Sequence, residues 1–184
     1  MAMQKQIEEW VKKAINGNNP GLCVEIGSRL LYPHDPHDPR PLVNAAVYVG
    51  IDANPGPGVD VVSLAHEYTP PAPADLVLCL QALEHDPHWP ETLWAGASWV
   101  RPGGVFCITC AGKGCAPHEL EHSPTPGHYG NVTSREILAA LQAFPDAKFD
   151  YFTDDSRIIT DIKGEASVRW TRSRVMAVRR GVRS

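Results

Sequence analysis

The stretch from Leu22 to Asp52, LCVEIGSRLLYPHDPHDPRPLVNAAVYVGID, constrains this chain more than any other. A short apolar run, Leu22-Cys23-Val24, leads to an acid at Glu25 and breaks at Gly27-Ser28. A second run, Val47-Tyr48-Val49-Gly50-Ile51, ends on Asp52. Two short apolar runs that each end in polar residues predict neighbouring buried parallel strands with their polar ends at one sheet edge. In an open α/β sheet that carboxyl edge is where ligands bind. Gly27 lets the backbone approach a ligand closely, and Asp52 offers two oxygens to vicinal hydroxyls such as those of a ribose. A nucleoside-containing cofactor is the expectation.

The link between the two runs is unusual. Parallel neighbours need a crossover of a dozen or more residues, usually helical. Here Pro33, Pro36, Pro39 and Pro41 forbid a long helix, and only Pro41 to Ala46 can make a turn or two. The tandem repeat His34-Asp35-Pro36-His37-Asp38-Pro39 offers His and Asp three residues apart. Prolines between them and no third ligand nearby favour a loop over a metal site.

Elsewhere the periodicity alternates. Residues 4–16 place Ile7, Trp10, Val11, Ala14 and Ile15 on one helical face, with Glu8–Lys12 and Glu9–Lys13 paired on the other. Val59 to Val62 and Leu76 to Leu80 read as strands, Pro90 to Val100 as a helix, and Val105 to Thr109 as a further strand. Residues 111–132 are rich in glycine, proline and histidine without periodicity, which predicts a functional loop. Thr133-Ser134-Arg135-Glu136 is a capping box opening a helix through Phe144. Lys148 to Phe152 and Arg174 to Val178 read as two closing strands, while Thr153 to Arg172 has no clear assignment.

At 184 residues, 43% hydrophobic and 21% charged, the chain is expected to form one domain. The alternation of strands and helices makes residues 20–180 a doubly wound, Rossmann-like core after an N-terminal helix and linker at 1–19. A net charge of -4 gives no reason to expect nucleic acid as a partner. Five cysteines fit a reducing compartment, and neither a signal peptide nor a membrane span is visible. A soluble cytoplasmic protein is expected; the oligomeric state is not legible.

In this order the chain resembles the class I S-adenosylmethionine-dependent methyltransferases over roughly residues 20–180. Four segments carry the resemblance: VEIGS (24–28), VGID (49–52), ADLVLCLQALEH (74–85) and VRPGGVFCIT (100–109). They look like the glycine loop, the ribose-binding acid, the fourth strand with its following motif, and the turn into the fifth strand. The resemblance implies a single doubly wound, mostly parallel α/β sheet with an antiparallel closing strand. It implies S-adenosyl-L-methionine as cofactor, with Glu25, Gly27 and Ser28 at its methionine end, Asp52 and Ala53 at the ribose, and Leu64 and Ala65 at the adenine. Gln81 and Glu84 would complete the cofactor side. His85, His122, His128 and Tyr129 are the catalytic candidates, lining the route to a small-molecule or peptide acceptor. None is singled out as the base.

Two positions depart from the family pattern. Arg29 stands where a second glycine is usual, and Leu64 where an adenine-contacting acid is usual. They keep open a second reading, a non-catalytic domain of the same fold that binds a nucleoside or a partner protein. A nicotinamide-binding domain is disfavoured, since Gly27-Ser28-Arg29-Leu30-Leu31 lacks G-x-G-x-x-G. Cys107-x-x-Cys110 with Cys115, His118 and His122 invites a zinc site, but residues three apart on a strand point to opposite faces, so no metal is expected. The arginines at 169, 172, 174, 179, 180 and 183 read as solvated strand flanks.

Overall fold

The computed structural model describes residues 2–33, 35–118, 124–144, 149–162 and 165–180. The elements run α1 (Ala2–Ile15), β1 (Leu22–Ile26), α2 (Arg40–Val43), β2 (Val47–Asp52), β3 (Val61–Val62), β4 (Ala74–Leu80), α3 (Trp89–Trp99) and β5 (Val100–Ala111). After these come α4 (Ser134–Gln142), β6 (Phe149–Thr153), β7 (Ser156–Ile162) and β8 (Glu165–Arg179).

One mixed sheet joins all the strands in the order β3-β2-β1-β4-β5-β8-β6, with β7 paired alongside β8. The first five strands along this path are parallel; β6, β7 and β8 pair antiparallel. This is the doubly wound, mostly parallel sheet expected. The chain leaves β1 toward β2 on one side and returns to β4 on the other, so a crevice opens beyond the carboxyl ends of β1 and β4.

Period-two alternation divides the core into two layers. Val24, Val77, Cys79, Phe106, Ile108 and Val175 point to the face covered by α3 and α4. Cys23, Leu76, Leu78, Cys107 and Met176 point to the other, beneath Trp10, Val11 and Ala14 of α1 and Val43 of α2. Helix α3 begins with Pro90 in its first turn, where a missing N–H costs nothing. It lies close on the sheet because Gly96 leaves room: a Cβ there would stand 2.6 Å from Phe106 Cζ. The capping box forms as expected, with Thr133 N–H donating to Glu136 Oε2 at 2.8 Å and Glu136 N–H to Thr133 Oγ1 at 3.3 Å.

Three expectations are corrected. The two closing strands are three, because the unassigned segment after Thr153 supplies β7 and the first half of β8. Pro102-Gly103-Gly104 does not sit between helix and strand; it lies inside β5, at the register shift opposite Ala74 to Leu76. Arg172 and Arg174 are not solvated flanks. Strand β8 runs between β5 and β6, and these residues are 0% and 8% exposed. No helix among the described residues is long and apolar enough to cross a membrane.

Candidate functional site

The crevice beyond β1 and β4 is a cavity of about 750 Å³. Its walls come from the segments the strand ends release. Glu25 and Ile26 end β1 and Gly27 to Leu31 follow it, Asp52 and Ala53 close β2, Ser63 to Ala65 follow β3, and Leu80 ends β4 ahead of Gln81 to Leu83 and His85. Ile7, Glu8 and Val11 of α1 and part of the crossover complete it, and His118 and Pro124 reach it from the loop after β5.

The turn after β1 needs glycine. Gly27 has φ +75°, and its N–H donates to Ile51 O at 2.9 Å, tying the turn to β2. Ser28 N–H donates to the same carbonyl at 3.1 Å, and the Ser28 side chain is buried at the cavity wall. Arg29, in the usual glycine position, packs against the β2–β3 turn, with its Cγ 2.9 Å from where a Gly56 Cβ would lie.

Asp52 is held by the backbone around it. Its Oδ1 accepts from Asn54 N–H at 2.8 Å and its Oδ2 from Arg29 N–H at 3.3 Å. Glu25 is buried on the α1 face of β1, accepting from the Tyr48 hydroxyl at 2.9 Å. Burial pushes its pKa up to about 8, although the Tyr48 bond and the Arg40 charge pull the other way.

Beyond β4, Gln81 takes a left-handed backbone (φ +56°) that a side chain rarely adopts. Thr109 of β5 holds it there: Gln81 N–H donates to Thr109 O at 2.7 Å, and Gln81 Nε2 to Thr109 Oγ1 at 3.1 Å. Such local strain concentrates at ligand-binding edges. Nothing in the sequence signals it, because Gln81 has no conformational signature of its own.

The catalytic candidates separate. His85 is buried and lines the cavity. Tyr129 is not among the lining residues, but its ring stacks edge-on to His85 at 5.5 Å and to His118 at 5.0 Å. Burial, and next its bond to Cys115, push the Tyr129 hydroxyl well above its usual range, so it acts as a neutral donor. His128 also lies outside the lining, and its N–H donates to Thr125 O at 3.0 Å. His122, like His34 of the crossover repeat, lies outside the described residues.

Glu84 is placed behind the cavity wall. It is fully buried, with Oε1 accepting from Ala111 N–H at 3.0 Å and Oε2 without a partner. Burial raises its pKa to about 7, against the opposing charges of His118 and Arg172. Glu84, His85 and His118 bring donor atoms within 4.8 Å of one another. Cys107 and Cys110 point to opposite faces of β5, into separate core layers, so they cannot share an ion. In the sequence His118 is a candidate only alongside the cysteines of a zinc set, and Arg172 only a strand flank: the first lies in a loop without periodicity, the second in a basic run.

No family model and no curated protein matches the chain. Solved structures do. The N1-methyltransferase for 1,6-didemethyltoxoflavin from Burkholderia thailandensis, solved with that molecule and S-adenosylhomocysteine, superposes with a TM-score of 0.66 at 16% identity. The match covers 97% of this chain and 79% of that one. Magnesium protoporphyrin IX methyltransferase from Synechocystis, with bound S-adenosylmethionine, gives 0.61 at 16% identity over 97% of this chain and 80% of that one. The N-methyltransferase NodS from Bradyrhizobium japonicum, with S-adenosylhomocysteine, gives 0.60 at 9% identity, covering 98% and 87%. The fold is that of the class I S-adenosylmethionine-dependent methyltransferases.

Proposed function

We propose that this chain binds S-adenosylmethionine and transfers its methyl group to a small-molecule acceptor. The observation that carries the reading is the gathering of Glu25, Gly27, Ser28, Asp52, Leu64, Ala65 and Gln81 around one cavity at the β1–β4 crevice. A volume of about 750 Å³ suits a cofactor with room left for an acceptor. The methionine end rests against the turn at Gly27-Ser28, Asp52 takes the ribose hydroxyls, and Leu64 and Ala65 flank the adenine. Structural neighbours of the same fold carry S-adenosylmethionine or its demethylated product, which supports the same choice here.

The chemistry asks little of the protein. A sulfonium methyl is already activated, so the site has to align a nucleophile with it and exclude water. His85, which lines the cavity, and Tyr129, packed edge to face behind it, are the groups for acceptor positioning.

Incubating the purified chain with methyl-labelled cofactor and fractionated metabolite pools tests this. Label appearing in one low-molecular-weight fraction, dependent on Asp52, is expected. Cofactor binding without label transfer to any pool would favour the non-catalytic reading instead.

A further inference from the structure

We propose that Glu84, His85 and His118 form a binding site for a zinc-type divalent metal ion where His85 and His118 line the cavity wall. Among the described residues this is the one group of three whose donor atoms converge, all within 4.8 Å of one another. Two imidazoles and a carboxylate are a donor set suited to zinc and other late first-row divalent ions.

A second observation points the same way. Glu84 is 0% exposed, its Oε1 is held by Ala111 N–H at 3.0 Å, and its Oε2 is buried without a hydrogen-bond partner. A buried carboxylate oxygen left unsatisfied is costly, and a cation held by the two neighbouring imidazoles would satisfy it. The fixed Oε1 bond also orients the group, as outer contacts orient metal ligands. His85 follows Glu84 on the same short turn after β4, so two donors sit on a rigid strand end.

Tetrahedral donors at zinc distances stand about 3.3 Å apart, so the set must contract. His118 supplies that movement: it is exposed, on the loop after β5, whereas Glu84 and His85 are buried. Cys115 Sγ, 3.9 Å from His118 Nδ1, lies beside the set. The fully buried Arg172 also faces Glu84 and repels a dication. That repulsion is relieved if the open coordination position, toward the cavity, is filled by an anionic oxygen or sulfur of the acceptor. This last step rests on the methyl-transfer reading; the metal site itself does not.

The test uses the full chain, free of any purification tag, stripped with chelator and titrated with Co²⁺ and with Zn²⁺ against a chromophoric chelator, with no cofactor present. One ion per chain is expected, with Co²⁺ giving visible bands of a four-coordinate site. His118→Ala, at an exposed position, should keep the circular dichroism of the wild type and bind at least about tenfold more weakly. Glu84→Gln should do the same if it folds. Absence of stoichiometric binding by the wild type would overturn the proposal, as would unchanged affinity in His118→Ala. Neither result bears on cofactor binding, which is measured separately.

Discussion

Gly27 and Ala82 meet across the β1–β4 crevice so closely that a Cβ on Gly27 would stand 2.4 Å from that of Ala82. The contact lets the loops after two neighbouring strands form one continuous wall. Gly27 also carries φ +75°, so any side chain there is strained twice. Gly27→Ala is expected to lower the unfolding free energy by roughly 1–3 kcal/mol and to weaken cofactor binding with it. Urea denaturation alongside calorimetry checks both; a variant of wild-type stability would mean the turn is looser than this contact allows.

Glu25 makes stability depend on pH. Its folded pKa of about 8 exceeds the ordinary 4.5 because burial disfavours the charged form. Between those values the folded chain holds a proton that the unfolded chain has released. The stabilisation is therefore complete below pH 4.5 and is lost as pH rises through about 8. Unfolding midpoints at pH 6 should exceed those at pH 8.5, and Glu25→Gln should flatten that slope. An unchanged slope in the variant would place the titration elsewhere.

How far the sequence announced this site depends on the type of signal. Asp52 and Gly27 were legible because each ends a short apolar run, and a parallel sheet puts such ends at one edge. Leu64 and Ala65 come from the family resemblance alone, since their side chains carry no polar group. Arg172 was hidden: a basic run looks the same whether its members flank an edge or lie buried between two strands. The β7–β8 pairing was equally opaque, because residues 153–172 lack clean alternation and pair only with their own continuation. Glu84 and His118 become neighbours through the loop after β5, a contact that no local spacing encodes.

The crossover at residues 29–40 is expected to behave as a lid. Arg29 to Leu31 and Asp35 to Pro39 line the cavity, while Leu31 and Tyr32 are 55% and 51% exposed. Its ends are tied to the β2–β3 turn, Leu30 N–H to Pro57 O and Arg40 Nη2 to Asp60 Oδ2, each at 2.9 Å; between them the buried Asp35 accepts from His37 N–H at 2.9 Å and Leu31 N–H at 3.3 Å. A chymotrypsin-like protease should cut near Leu31-Tyr32 in the free chain, and S-adenosylhomocysteine should suppress the cut. Equal cleavage with and without ligand would contradict the lid.

Tyr129 stands behind His85, outside the cavity lining. Tyr129→Phe keeps the ring against His85 and removes only the hydroxyl that pairs with Cys115 and with Asn131 Nδ2, 3.5 Å away. Methyl transfer should fall while cofactor affinity stays within about a factor of two. Parallel losses in both would move Tyr129 to the cofactor side.

Calorimetric titration of wild type and Asp52→Ala tells whether the β1–β4 cavity takes S-adenosylmethionine with Asp52 on its ribose. Wild type should bind the cofactor and its demethylated product at one site per chain. The variant, with its fold checked by circular dichroism, should lose a charge-assisted two-oxygen contact worth about 1.5–3 kcal/mol. Equal affinity in a folded variant would remove Asp52 from the ribose, and no binding by the wild type would remove the cofactor from this cavity.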